Sequence, residues 1–194
     1  LKVKQYLFSE FLQSNVYYKG DAAVKQFMNY NLLLDDMQYL DDDDKLKSFY
    51  DFDKVDYIRL GHRHFVPLEA DYAEIIIETD KVALAVKRFT KASGSTRNKV
   101  NKALERNEKL ADNITLTMDS TYYLVRMTKP EGIKKGVFKG MSLSQNRVVD
   151  ASLNGFLKVY SDYKDQIREF IKEQEIDLKN PEDIIKLTEY CNSL

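Results

Sequence analysis

The sequence has little cysteine and no long apolar run, and each shortage excludes a class of protein. Among 194 residues there is one cysteine, Cys191, so no disulfide can form within the chain. Its place in a C-terminal apolar repeat predicts a small core residue rather than a nucleophile. No stretch reaches the roughly 18 apolar residues of a membrane-spanning helix, and the longest, such as Val82–Val86, have the length of a strand. The sequence therefore predicts no membrane-spanning segment.

The sequence also lacks the short motifs that mark common catalytic chemistry. It contains no Gly-x-Ser-x-Gly, no phosphate-binding loop and no glycine-rich dinucleotide turn, and each of these motifs carries groups that a reaction needs at fixed spacing. We therefore predict that the protein is not an enzyme and that it uses no cofactor.

Charge is balanced over the whole chain but segregated along it. Lys and Arg number 30 against 31 Asp and Glu, which gives a net charge of −1 and no global field that favours nucleic acid. Residues 35–56 hold nine acids and three lysines, a balance of −6, whereas residues 87–109 hold eight bases and two acids, a balance of +6. The basic segment lacks the interleaved aromatic residues of a nucleic-acid site. It is either a solvated loop or a contact for an anionic polymer or partner, with Lys99, Lys102 and Arg106 as candidate ligand-binding residues.

Most of the chain has the period-two pattern of strands. From Val16 to about Thr90, β-branched and aromatic residues alternate with polar ones between turns of two to four residues, and the pattern returns at 114–118, 122–127 and 135–141. Between Ser93 and Ala111 the apolar spacing becomes helical, which predicts a loop with a short helix.

Two amphipathic helices are predicted at the C-terminal end. Ser161 or Asp162 is positioned to cap the first, and Asn180-Pro181 supplies a cap and a first-turn proline for the second. Each helix has an apolar stripe that needs a partner surface, and the strands provide one.

These patterns predict an α+β fold, in which an antiparallel meander sheet, open or curled, carries helices segregated at the C-terminal end. Residues 1–142 are expected to form the β domain, with 93–111 as an insertion. Residues 143–194 are expected to form a helical segment that packs on the sheet as part of one compact unit.

Several segments of the chain form a pattern of strands and caps: Tyr6-Leu7-Phe8 with Phe11, the hairpin that starts at Val16, Asn29-Tyr30-Asn31, Asp36–Leu40, Val55–Ile58, Phe65-Val66-Pro67, Ile167–Phe170 and Glu182–Asn192. This pattern resembles that of a family of uncharacterised exported proteins, periplasmic or on the cell surface, from Gram-negative gut and environmental bacteria. The family has no assigned activity. What the resemblance implies is a periplasmic or surface location behind a removed signal peptide. The sequence begins at Leu1 rather than at Met, so we expect an upstream part that was removed, either by a signal peptidase or by trimming.

The two histidines of the chain form the pattern His62-Arg63-His64. On a strand, positions i and i+2 point to one face, so both imidazoles could bind one metal ion with Glu69 as a third ligand. This resembles part of the cupin motif, but Asp56 and Ile76 stand where that motif has glycines, and no third histidine exists. The alternative, which we prefer, is a partly exposed pair of histidines near a turn.

The four consecutive acids Asp41–Asp44 predict a solvated hairpin tip. An EF-hand loop counted from Asp41 would need glycine at its sixth place and glutamate at its twelfth, where the chain has Leu46 and Phe52.

Adjacent tyrosines occur at Tyr17-Tyr18 and Tyr122-Tyr123. In a strand, one member of each pair faces away from the core. An exposed tyrosine row stacks on sugar rings or forms a protein interface, unless it is the rim of an ordinary sheet. Tyr17 and Tyr18 are therefore candidate ligand-binding residues.

Taken together, the sequence predicts an exported, non-catalytic binding or envelope-associated protein whose ligand is a protein partner or a glycan. The competing hypothesis is a small metal-dependent enzyme centred on His62, His64 and Glu69.

Overall fold

The structure, a computed structural model, describes residues 4–19, 22–68, 71–79, 82–93, 115–126 and 148–194. In this part of the chain, segments rich in β-branched and aromatic residues form ten strands, as expected of residues that suit a pleated, half-buried surface. The strands are β1 Leu12–Tyr18, β2 Ala23–Asn31, β3 Asp36–Leu40, β4 Leu46–Ser48, β5 Val55–Leu60, β6 Arg63–Leu68, β7 Asp71–Ile77, β8 Val82–Ser93, β9 Thr115–Arg126 and β10 Val148–Asp150.

The strands lie in one sheet in the order β10-β9-β8-β7-β6-β5-β1-β2-β3-β4. The pairs β1·β2, β1·β5, β2·β3, β3·β4, β5·β6, β7·β8 and β9·β10 are antiparallel. With helices near the C-terminal end, this arrangement confirms the predicted α+β class and the antiparallel sheet.

The strand order departs from a single meander at one point, because β5 lies beside β1 rather than beside β4. Val16 of β1 faces Ile58 of β5 in register, and both side chains are buried. Strand β4 has three residues, of which Leu46 and Lys47 are exposed. The free edge of β1 therefore offers β5 a longer and more apolar partner than β4 does.

The chain forms two compact units, and the first contains residues Leu1–Ala73 and Lys87–Thr121. Its core lies on one face of β1, β2, β3, β5 and β6, because alternate side chains of a strand point the same way. Large members of this core are Val16, Met28, Met37, Ile58, Leu60, Phe65 and Tyr72.

The second unit contains residues Glu74–Val86 and Tyr122–Leu194. Its α-helices in the described residues are α1 Leu153–Val159, α2 Lys164–Glu173 and α3 Pro181–Ser193, with a 3₁₀ turn at Ser161–Tyr163. They bury their apolar stripes on the strands, in a cluster that includes Leu84, Leu124, Phe156, Ile167, Ile184, Leu187 and Cys191. The burial of Cys191 is thus as predicted.

The helix caps show where the local sequence was sufficient to predict the start of a helix. The Asn180 side chain accepts a hydrogen bond from the Glu182 amide at 3.1 Å, and Pro181 begins α3, so that prediction is confirmed. Helix α2 begins at Lys164, and neither Ser161 nor Asp162 caps it. Helix α1 was not predicted; it is capped by Ser152, whose Oγ accepts from the Gly155 amide at 3.2 Å.

Strands β8 and β9 differ in extent from the segments predicted for them. Strand β8 continues to Ser93, and β9 runs unbroken through Asp119-Ser120-Thr121, where two separate strands were predicted. A paired ladder overrides the weak turn propensity of such residues. The remainder of the predicted 93–111 insertion and the predicted strand at 135–141 lie outside the described residues.

Candidate ligand-binding face

The adjacent residues Tyr17 and Tyr18 lie on opposite faces of β1, as predicted for neighbouring strand positions. Tyr18 packs against the core of the first unit, and its hydroxyl donates a hydrogen bond to Oδ2 of Asp51 at 3.3 Å. Burial and the Asp51 carboxylate raise the pKa of the Tyr18 phenol, so the hydroxyl stays protonated and can donate. Tyr18 thus has a structural partner, which leaves Tyr17 as the member of the pair that faces away from the core.

Tyr17 belongs to a row of register partners that crosses three strands of the sheet. It faces Ala23 of β2 on one side and Tyr57 of β5 on the other. The Tyr17 and Tyr57 rings are stacked with their centroids 4.2 Å apart and an interplanar angle of 11°. Tyr57 is 7 % exposed, and burial followed by the proximity of Tyr17 raises the pKa of its phenol. The buried ring of Tyr57 therefore fixes the orientation of the more exposed Tyr17 ring.

A polar row runs beside the tyrosines. Asn15 of β1 faces Lys25 of β2 and Arg59 of β5, and Arg59 faces His64 of β6. Neighbouring strands are about 4.8 Å apart, so three strand intervals place Lys25 and His64 about 14 Å from each other along the row. Lys25 and Arg59 are exposed, whereas Asn15 and His64 are half-buried.

We call the two rows together the tyrosine face. It comprises Asn15, Tyr17, Ala23, Lys25, Tyr57, Arg59 and His64. Only Tyr17 and His64 of this set were candidate residues from the sequence. Alternation along β1 and β5 indicates which residues of each strand point outward. The rows form only because β1 pairs with β5. These two strands are distant in sequence, so no local pattern predicts that they pair.

The two histidines contact different aromatic rings. His62 lies with Gly61 in the turn between β5 and β6, where Gly61 has a φ of 62°, and its ring meets Phe8 edge-on with centroids 6.3 Å apart. His64 lies on β6, and its ring meets Tyr57 edge-on at 6.0 Å. The Arg63 guanidinium lies over the Phe8 ring at 5.6 Å. Since Arg63 and His64 are adjacent on a strand, Phe8 and Tyr57 are on opposite faces of the hairpin.

His62 is therefore a turn residue, and the i, i+2 rule for strands does not apply to it. Burial and the positive charge of Arg59 lower the pKa of the His64 imidazole. Glu69 lies outside the described residues, and among the residues that are described no three His, Cys, Asp or Glu side chains are placed to hold one metal ion. The metal-enzyme hypothesis stays a prediction, which elemental analysis of chelator-free protein would test.

The predicted contacts Lys99, Lys102 and Arg106 also lie outside the described residues. The start of the basic segment is described, and two of its lysines form ion pairs with carboxylates of the same chain. The Lys87 ammonium lies 2.9 Å from the Asp35 carboxylate and also contacts Asp71, while Lys91 pairs with Asp119.

The asparagines of Asn29-Tyr30-Asn31 have structural roles. The Asn29 amide donates to the carbonyls of Phe8 and Glu10 at 3.0 and 2.9 Å. Oδ1 of Asn31 accepts from the amides of Leu33 and Leu34 at 3.0 and 3.1 Å. These side-chain hydrogen bonds take the place of backbone–backbone bonds at points where the chain leaves the β-sheet, a common role of side-chain amides.

Within the described residues, no helix has both the length and the apolar character to cross a membrane. Comparisons of the chain with models of protein families, with curated proteins and with solved structures gave no match.

Proposed function

We propose that this chain is an exported, non-catalytic binding protein and that it recognises a glycan on the tyrosine face. The observation that carries the proposal is the Tyr17 ring, which is held by Tyr57 on one side and faces an exposed alanine on the other.

The open side of Tyr17 has the shape of a stacking platform. Its register partner on that side is Ala23, an exposed residue whose single side-chain carbon covers little of the ring. An aromatic ring combines a large apolar surface with a polar hydroxyl and loses little conformational entropy on binding. A sugar ring, which has an apolar face of C–H groups and a polar rim, complements such a platform.

The polar row supplies groups for the rim of the sugar. Asn15 carries two amide donors and one acceptor, and Arg59 carries five N–H donors in a fixed plane. Both lie in the row next to Tyr17 and Tyr57, two residues away along β1 and β5. Hydroxyls of a sugar stacked on Tyr17 are therefore within reach of directional donors.

The composition of the face supports binding rather than catalysis. The outward positions of β1, β2, β5 and β6 around the two rows hold rings, amides and cations, and these described positions include no Asp, Glu, Ser or Cys. Carboxylate pairs and activated nucleophiles are the groups on which glycoside and acyl chemistry depend. A platform of this composition is suited to hold a ligand unchanged.

The test is a glycan array followed by calorimetric titration of the glycans that bind, with wild type and a Tyr17→Ala variant. Loss of a stacking platform at the centre of an interface costs about 2 kcal/mol, or about 30-fold in Kd. The matched control is Tyr50→Ala, since Tyr50 is 68 % exposed and lies outside the tyrosine face. Tyr17→Phe keeps the ring and is expected to bind within about threefold of wild type.

Absence of glycan binding by the wild type, or an equal loss in Tyr17→Ala and Tyr50→Ala, would overturn the proposal. Capture of one protein from an envelope extract, lost in Tyr17→Ala while glycans fail to bind, would reassign the face to a protein partner. The location is tested separately by fractionating cells that express the gene with its own upstream sequence, and recovery in the cytoplasmic fraction would contradict export.

A further inference from the structure

We infer that the ligand of the tyrosine face is an acidic glycan, whose carboxylates are bound by Lys25 and Arg59. The inference rests on the proposed function and deepens it by naming the class of sugar. It is carried by the charge and alignment of the polar row.

Lys25 and Arg59 differ from the other exposed cations described in the first unit. Among these described residues, neither side chain forms an ion pair or a side-chain hydrogen bond. The other exposed cations of this part have partners: Lys45 pairs with Asp43, Lys47 with Asp41, Lys54 with Asp51 and Lys91 with Asp119, while the ammonium groups of Lys4 and Lys19 donate to the carbonyls of Leu7 and Asp53. Two cations that share one face without an acid are complementary to a negatively charged ligand.

The described outward positions next to the row on β1, β2 and β5 carry no acid, although the Asp56 carboxylate contributes to the raised pKa of Tyr57. Asn15 separates the two cations, and the neighbouring outward residues of the same strands are Gln13, Tyr17, Ala23, Phe27 and Tyr57. The lowered pKa of His64, caused by burial and by Arg59, is consistent with a positive local field. A bound carboxylate would offset this field at no cost in displaced ion pairs.

The geometry favours carboxylates on a sugar chain over other anions. Arg59 presents a planar fork that matches a carboxylate with two parallel hydrogen bonds, whereas Lys25 acts as a point charge. Two strand intervals, about 10 Å, separate their backbones, so each cation can meet a separate acid group of a chain that carries repeated carboxylates. A single-stranded nucleic acid needs successive stacking platforms, but the inner side of Tyr17 is already occupied by Tyr57.

The experiment compares acidic oligosaccharides with their own methyl esters, which have the same sugars and length without the charge. The panel holds oligogalacturonate, oligomannuronate and hyaluronan fragments, each titrated as free acid and as ester, with oligothymidylate of equal charge as a further arm. We expect at least one acid to bind about tenfold or more tightly than its ester. Raising the salt from about 50 to 200 mM is expected to weaken only the acid.

The variants assign the charge to its residues. Arg59→Gln and Lys25→Gln are each expected to weaken binding of the acid about five- to tenfold and to weaken binding of the ester by a smaller factor, because only the acid loses a charge-assisted bond. Lys54→Gln is the matched control, because Lys54 is an exposed lysine of the same unit whose loss is expected to change neither affinity.

The outcomes separate this inference from the proposed function. Equal affinity for acid and ester, with binding lost in Tyr17→Ala, overturns the acidic ligand and keeps the glycan platform. Tighter binding of oligothymidylate than of every glycan overturns the acidic glycan in favour of nucleic acid. No binding of any acid or ester, together with a glycan array without binders, overturns both.

Discussion

Asp35→Asn is expected to destabilise the first unit strongly, because the buried Asp35 carboxylate holds two partners, Tyr30 and Lys87. One carboxylate oxygen accepts a hydrogen bond from the Tyr30 hydroxyl at 2.6 Å, and the other lies 2.9 Å from the Lys87 ammonium. The side chain of Asp35 is 3 % exposed and that of Lys87 is 15 % exposed. Asp35 has a φ of 59°, which asparagine tolerates as well as aspartate does, so the substitution tests the charge and not the backbone.

The magnitude follows from the two interactions. A hydrogen bond to a charged group contributes about 1.5–3 kcal/mol. Asparagine keeps an acceptor for Tyr30 but loses the negative charge beside Lys87, which still contacts Asp71. We expect a loss of about 2–4 kcal/mol in the free energy of unfolding, out of about 5–15 kcal/mol for a typical domain.

The assay is urea unfolding followed by far-ultraviolet circular dichroism, with Asp71→Asn as the matched control. Asp71 contacts the same ammonium but its side chain is 34 % exposed, so its loss is expected to cost about 1 kcal/mol or less. With an m-value of about 2 kcal/mol/M, the midpoint of Asp35→Asn shifts by about 1–2 M. An effect no larger than that of Asp71→Asn would refute the reasoning.

The same network has a defined pH dependence. Burial opposes the charged form of Lys87, yet the Asp71 and Asp35 carboxylates raise the pKa of its ammonium above the ordinary 10.5. A raised pKa in the folded chain means that the stabilisation is fully present below pH 10.5 and is lost as the pH rises through the folded value. The difference in the free energy of unfolding between wild type and Asp35→Asn is therefore expected to become smaller at strongly alkaline pH.

Three further changes test the second unit. Gly155→Ala places a Cβ 1.9 Å from the Asp150 carbonyl oxygen, and this clash is expected to cost about 3 kcal/mol in a thermal unfolding experiment. Asn180→Ala removes the cap that accepts from the Glu182 amide and is expected to cost about 1 kcal/mol in the same assay. Burial raises the pKa of the Cys191 thiol to about 12, so iodoacetamide at about pH 8 is expected to alkylate it only after denaturant is added.

Each of the three predictions for the second unit can be contradicted by a specific result. Asn154→Ala, at an exposed position next to Gly155, controls for helix α1, and an equal loss in both variants would refute the steric argument. Asn180→Asp retains a capping oxygen and should restore most of the stability lost in the alanine variant. Rapid alkylation of the folded chain would show that Cys191 is accessible.

Local signals in the sequence predicted local structure well. The cap at Asn180 and the alternation that turns Tyr17 and Tyr18 to opposite faces needed only neighbouring residues, and both are confirmed. Helix α1 was missed because Gly155 and Val159 are weak helix formers. It forms because Ser152 caps it and because Phe156 and Leu157 are buried against the strands.

The candidate site was predicted less completely, because it depends on which strands are neighbours. The sequence predicted that either Tyr17 or Tyr18 faces outward, but it gave no reason to place Tyr57 and Arg59 beside that tyrosine. That placement depends on the pairing of β1 with β5, a contact between segments that are far apart in sequence, where tertiary packing rather than local pattern decides. For the same reason the cation row of Lys25 and Arg59 was not recognised.

The position of β5 also bears on how the chain folds as it leaves the ribosome. The β1·β2 hairpin is complete once Asn31 has emerged, but the other side of β1 stays without a neighbour until the segment Val55–Leu60 follows. During that interval the unpaired rim of β1 is open to the equivalent segment of another nascent copy. Exchange of the β5·β6 hairpin between two copies would satisfy the same backbone groups, so domain-swapped dimers are the misassembly expected at high expression levels.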